Sequence, residues 1–223
     1  MTDAVLITIG DEVLAGDIVN TNAAWLSKRL AEHGVYVKRI SVIPDEVDVI
    51  AEDVRSTSAD WIIITGGLGP THDDVTREGI AKALGKAIVE HPVAMAMIGE
   101  RYRISEKTRV MATMPEGAVP LGNPAGAAPG FLLGNIMVLP GVPKEMMAIF
   151  ELNEHMFRGE PRETLWITTY RKESDIADLL RDAVSRFGVK IGSYPGEGQV
   201  KVKITGTSPG TQDAYQWLCS RLK

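Results

Sequence analysis

Apolar residues along the chain fall into two rhythms. Residues 4–9 and 61–65 are short, continuous apolar runs rich in β-branched side chains, the pattern of strands buried on both faces of a parallel sheet. Ala23, Leu26 and Leu30, and later Val47, Ile50, Ala51 and Val54, recur instead at helical spacing. Residues 35–43 supply a further strand, and Gly34 is placed to end the helix before it in the left-handed conformation. Strands and helices in alternation imply parallel strands joined by right-handed crossovers, hence an α/β fold.

The rhythm continues with a helix over 76–84 that Gly85 ends and another from His91, with Pro92 at its first turn, to about Tyr102. Residues 105–130 hold too many glycines and prolines for regular structure and are expected to form a long loop. Residues 131–133 and 136–139 suggest a hairpin across Gly134-Asn135. A helix after Pro143 then presents Met146, Met147, Ile149, Phe150 and Phe157. Gly159-Glu-Pro161 marks a boundary, giving domains 1–160 and 161–223. The second has strand, helix, strand, strand, helix order, with Ile176, Leu179, Leu180, Ala183 and Val184 turned inward, and should form a small α+β sandwich with one open sheet face.

Chemistry concentrates after the run at 61–65. Gly66, Gly67 and Gly69 free the backbone to turn tightly and to offer N–H groups, while Thr71 and Asp74 have the spacing of a capping box for the next helix. Strand, glycine turn and helix start together form the place where open α/β sheets bind anions. The third glycine of the dinucleotide fingerprint is absent, and so is the Lys-Ser/Thr of a P-loop. Asp73 and Asp74 stand there instead. Carboxylates repel phosphate unless a hard cation lies between them, so the stretch fits a phosphate bridged by Mg²⁺ or another divalent cation; helix capping is the plainer use of the same acids.

Loops at the C-terminal ends of parallel strands meet along one edge, so Gly10 to Gly16, Gly66 to Asp74 and Pro140 to Lys144 should converge. Glu12, Asp73 and Asp74 then become candidate metal ligands and catalytic groups. Gly10 and Gly141 join the glycine loop as ligand-binding positions; Asn20 and Asn22 can read a base or ribose, and Thr71 can touch a phosphate. Each has a purely structural use as a cap or a turn residue. No serine, cysteine or histidine arrangement for nucleophilic catalysis is visible, which leaves chemistry at phosphorus.

Composition narrows the setting. The 223 residues are 44% hydrophobic and carry a formal charge of -5, divided as +3 over residues 161–223 (10 Lys/Arg, 7 Asp/Glu) and -8 over the rest. The larger part is therefore a poor nucleic-acid surface, and an anionic ligand there needs local neutralisation. A single cysteine, Cys219, excludes an internal disulfide and a cysteine-based zinc site, and the four histidines show no zinc-ligand spacing. With no signal core and no apolar run of bilayer length, a cytoplasmic protein without membrane insertion is expected.

The motifs also resemble a known family. Thr65-Gly-Gly-Leu-Gly-Pro-Thr-His-Asp-Asp74 with Val75-Thr76, the Gly10 to Asn22 stretch, Asn123 to Gly130 and Leu139-Pro-Gly-Val-Pro-Lys-Glu-Met146 are similar to the molybdopterin-binding, MoaB/Mog-like domain of competence/damage-inducible CinA proteins. Residues 173–175 and 191–195 resemble the small KH-like domain that follows it in that group. The resemblance implies a three-layer α/β/α fold with a mostly parallel sheet, a nucleotide or pterin phosphate as ligand, a homo-oligomer, and metal-dependent pyrophosphatase activity on ADP-ribose. Molybdopterin adenylylation and a non-catalytic binding module are the alternatives it leaves open. The further CinA domain that deamidates nicotinamide mononucleotide has no counterpart before Lys223, so that activity is not expected. Nor is RNA binding, because the small domain lacks a Gly-x-x-Gly clamp and Lys201 and Lys203 fit solvated strand positions.

Overall fold

A computed structural model describes residues 2–222, which divide into two compact units between Gly159 and Glu160. The first is built on a six-stranded sheet. Its strands are β1 (Asp3–Ile9), β2 (Tyr36–Ile43), β3 (Trp61–Thr65), β6 (Val119–Leu121), β7 (Gly130–Leu133) and β8 (Ile136–Leu139), in the order β2-β1-β3-β8-β7-β6. The four strands from β2 to β8 run parallel, and β7 and β6 add on antiparallel.

Side-chain alternation in these strands divides the core into two layers. Val5, Ile7 and Ile9 of β1, Ile62 and Ile64 of β3, and Ile136 and Val138 of β8 pack into one cluster, with Ile50 and Val54 of α3 (Val47–Ser56) and Ile80 of α4 (Thr76–Leu84). Ala4 and Leu6, Ile63, and Met137 and Leu139 point to the other, against Leu26 and Leu30 of α2 (Thr21–Glu32) and Ile149 and Phe150 of α7 (Pro143–Asn153). Helices thus cover both faces of a mostly parallel sheet, the three-layer α/β/α arrangement that the family resemblance implies. Phe157 lies beyond the end of α7 and stacks on Phe150 at a centroid distance of 5.1 Å.

Residues 105–130 are more ordered than their breakers suggest. Ser105 accepts from the Thr108 amide and Thr108 returns the bond to the Ser105 amide, a capping box that starts α6 (Glu106–Met111). Strand β5 (Thr113–Pro115) pairs with β4 (Ile88–Glu90), and β6 joins the main sheet. The prolines at 115 and 120 sit in three-residue strands, where few ladder bonds are lost. Helix α5 (Pro92–Gly99) is shorter than its apolar pattern implied.

The second unit has β9 (Glu163–Thr169), α8 (Glu173–Phe187), β10 (Lys190–Gly196), β11 (Gln199–Gly206) and α9 (Gly210–Leu222), with an antiparallel sheet in the order β10-β11-β9. Ile176, Leu180 and Ala183 of α8 and Ala214 and Leu218 of α9 bury one sheet face. Val184, expected inward, is 41% exposed, because it falls at the edge of the α8 stripe rather than on its centre line. Gly188 ends α8 with φ 64°, the left-handed cap its position suggested.

Candidate functional site

The C-terminal ends of β1, β2, β3 and β8 open into a cleft of about 600 Å³. The three anticipated loops meet in it: Gly10, Glu12 and Val13 after β1, Gly66 to Pro70 with Asp73 and Asp74 after β3, and Pro140 to Pro143 after β8. Asn20 and Asn22, at the start of α2, complete the expected set. Thr71 and Lys144 do not line it; Glu145, one residue further along α7, does.

Two glycines owe their identity to crowding. Gly66 has φ 107°, and a Cβ there would sit 2.1 Å from the carbonyl oxygen of Ile9 on the neighbouring strand. Gly67 has φ 64°, and its Cβ would meet the Thr76 hydroxyl at 2.1 Å. The Thr76 hydroxyl in turn donates to the Gly66 carbonyl at 3.0 Å, fastening the turn to the first residue of α4. Two amides that the spacing assigned to phosphate are engaged within the protein. Gly66 N–H donates to the Leu139 carbonyl (3.1 Å) and Gly69 N–H to Asp74 Oδ1 (2.7 Å).

Asp74 is the clasp of this loop. Beyond Gly69 its carboxylate accepts from the Thr71 amide at 2.8 Å and from the Thr71 hydroxyl. The Thr71–Asp74 pair therefore closes a turn two residues short of the helix and does not cap it: α4 begins at Thr76 after Val75, without a side-chain cap. Helix and turn are separated because Val75 and Thr76 are used to anchor the chain against the core and the glycine turn.

Beneath the loop lies Arg77, 1% exposed. Its guanidinium donates to the carbonyls of Leu68, Gly69 and Met111. Burial lowers its pKa to about 10, so it stays charged at neutral pH. A buried cation that takes loop carbonyls as acceptors fixes their direction and adds positive potential behind the turn.

The opposite charge gathers on the cleft itself. Asp45, which follows β2, accepts from the Asp11 amide at 2.9 Å and lines the cleft with Glu12 and Asp73. Its carboxyl is pushed above the usual range, first by burial and then by the negative charges of Asp11, Glu12 and Asp73. Asp73, facing the Thr71 hydroxyl and its own amide, is held below that range. Asp45 and Glu145 were not singled out from the sequence. Asp45 was within reach of the rule used for the other loops, since it too follows a strand that proved parallel; Glu145 carried no comparable signal. Among the described residues no three His, Cys, Asp or Glu side chains gather closely enough to cage a metal ion by themselves.

The two asparagines differ. Asn20 is the N-cap of α2: its Oδ1 accepts from Ala23 N–H (3.1 Å) and its Nδ2 donates to the Thr8 hydroxyl (3.0 Å). Asn22 is 7% exposed and donates from Nδ2 to the Gly141 carbonyl at 2.7 Å, tying α2 to the loop after β8. Its Oδ1 is buried and has no partner. An acceptor left in this state costs about 1–3 kcal/mol unless something donates to it, and Asn22 lines the cleft. Ile18, Val19 and Leu68 add apolar wall.

Comparison with known proteins places this geometry. Residues 5–155 match the family model described as probable molybdopterin binding domain, and residues 163–223 match that of the FAD synthase middle domain. A protein of Archaeoglobus fulgidus is 43% identical over 206 residues, covering 91% of this chain and 90% of its own. One from Pyrococcus horikoshii is 38% identical over 213 residues, covering 86% and 84%. Among solved structures, CinA of Thermoplasma acidophilum, of unknown function, is 40% identical with a TM-score of 0.67, covering 70% of this chain and 99% of its own. No helix among the described residues is long and apolar enough to cross a membrane. By the extent of these matches, the chain belongs to the molybdopterin-binding domain family, as a CinA-type member.

Proposed function

We propose that the cleft binds a heterocycle bearing phosphate, of the nucleotide or molybdopterin type, and that the protein hydrolyses the pyrophosphate of ADP-ribose or a related dinucleotide with a divalent cation. The observation that carries this reading is the unpaired Oδ1 of Asn22, buried in the wall of a cleft that Asn22 lines together with Glu12, Asp45 and Asp73. A ring amine or a ribose hydroxyl can donate to the first, while the second group repels phosphate unless a cation intervenes.

The donor set fits Mg²⁺, which keeps several waters and is ordinarily held by one or two carboxylates together with ligand phosphates rather than by an all-protein cage. Glu12 and Asp73 would hold it, with Asp45 adding charge. Bound there, the ion supplies charge neutralisation at the phosphate oxygens and acidifies a water. Asp74 keeps the glycine turn in shape from behind, through bonds to Gly69 and Thr71. Arg77 holds the same turn through its carbonyls and offsets the acids.

Incubation of the pure chain with Mg²⁺ and ADP-ribose should release AMP, and chelation should stop it. Asp73→Asn, which keeps an oxygen for the Thr71 hydroxyl and its own amide, should slow release about tenfold or more while lowering the thermal midpoint only slightly. No AMP from the parent protein, or the same rate from Asp73→Asn, rejects the hydrolase reading. The family match supports molybdopterin as a ligand, and its adenylylation is the second reading of the same cleft. ATP consumption only when molybdopterin is supplied would select it, and nucleotide-dependent thermal stabilisation without any product would select a binding module.

A further inference from the structure

The second unit leaves one face of its sheet open, and that face carries aromatic and basic side chains. In the strand register, Trp166 of β9 lies beside Lys203 and then Gly192, while Tyr194 of β10 lies beside Lys201 and then Thr168. All of these have the parity opposite to Ile167, Val202 and Ile204, which pack under the helices. Trp166 is 50% and Tyr194 51% exposed. Their rings approach across the middle strand to a centroid distance of 5.5 Å at an interplanar angle of 47°.

Gly192 makes this possible, since the Tyr194 ring lies against the site its Cβ would occupy, at 3.2 Å. Lys203 Nζ stands 5.8 Å from the Trp166 ring centroid. Lys190 falls on the same face, and no Asp or Glu does within the three strands. Glu163, the acid of β9, has the opposite parity and accepts from Gln212 of α9. A face with two exposed rings, three lysines and no carboxylate matches a ligand with flat bases along an anionic backbone.

We propose that this open sheet face binds single-stranded RNA, with bases stacking on Trp166 and Tyr194 and phosphates drawn to Lys201 and Lys203. Exposed Thr164 and Thr168 flank Trp166 along β9 and offer hydroxyls to the ribose 2′-OH, which favours RNA over DNA. The inference does not depend on the chemistry assigned to the cleft.

Fluorescence anisotropy with the full chain and a labelled RNA about a dozen nucleotides long should show binding that weakens steeply with salt, accompanied by quenching of tryptophan emission. Trp166→Ala and Tyr194→Ala should each weaken it about tenfold or more. Lys201→Gln and Lys203→Gln should each lower the salt slope by about one. Trp166, Tyr194 and Lys201 are exposed and Lys203 is half-buried, and an unchanged thermal midpoint in each variant ties the loss to the surface. Absence of binding at low salt, or binding indifferent to all four substitutions, overturns the proposal. Equal affinity for DNA of the same sequence overturns the choice of RNA. A dimerisation that buries Trp166 and vanishes in Trp166→Ala assigns the face to a second copy of the chain and also overturns it.

Discussion

Asp45 shows how a single side chain reports on the use of a site. Burial and the neighbouring charges of Asp11, Glu12 and Asp73 raise its pKa. A carboxyl raised in the folded state favours folding where it is protonated in both states, and that contribution is lost as pH climbs through its folded value. At neutral pH the ionised Asp45 therefore opposes folding. Asp45→Asn keeps an oxygen for the Asp11 amide and removes the charge, so it should raise the thermal midpoint at pH 7, with the gain shrinking as the pH is taken down into the carboxylate range. Melting curves across pH check this, and a variant less stable than the parent at pH 7 would show that the acids do not repel one another. An arrangement that costs stability when empty of cations is the signature of a functional site more than of a scaffold. Of this cluster, Glu12 and Asp73 were visible in the sequence because they sit in glycine-bearing loops. Asp45 stood out less, since Pro44-Asp45 has no glycine and looks like any turn, although it too follows a parallel strand and so opens on the same edge.

At the level of elements, the turn between β3 and α4 shows where local pattern and tertiary demand part. The apolar run 61–65 and the glycines after it were legible, as was the helix from Thr76 to its left-handed Gly85 end. The function of the Thr71–Asp74 pair was not, because a capping box and a closed turn share the same residues and differ only in where the helix starts. Arg77 was silent too: one arginine in a helix looks solvated until the fold buries it. Here it reaches from the first turn of α4 and donates to three carbonyls. Arg77→Met would leave buried carbonyls without a donor and should cost at least about 1–3 kcal/mol, read as a lower denaturant midpoint, with Arg77→Lys recovering part of the loss. A methionine variant as stable as the parent would mean that the loop does not need this cation. Residues 105–130 teach the same lesson from the other direction. From Pro115 onward prolines and glycines suppress the local signals, yet the short strands β5 and β6 form because β4 and the main sheet supply partners, while α6 starts on its own capping box.

For the whole molecule, the division between Gly159 and Glu160 separates two cores of different construction. The larger unit holds its cleft at the edge where parallel strands end, a placement that follows from strand direction alone and so could be read from alternating elements. What could not be read was which polar atoms the fold would satisfy. Asn20 and Asn22 are two residues apart and chemically identical, yet one is spent as a helix cap and the other, in the wall of the cleft, keeps a buried acceptor unpaired. The functional account rests on that difference, together with the acids that call for a cation. Calorimetric titration of the full chain with ADP tests both at once. With Mg²⁺ present, one site should bind; chelation, or Asn22→Leu in the presence of Mg²⁺, should each weaken it about tenfold or more. Binding of equal strength in chelator and in Asn22→Leu would contradict the account.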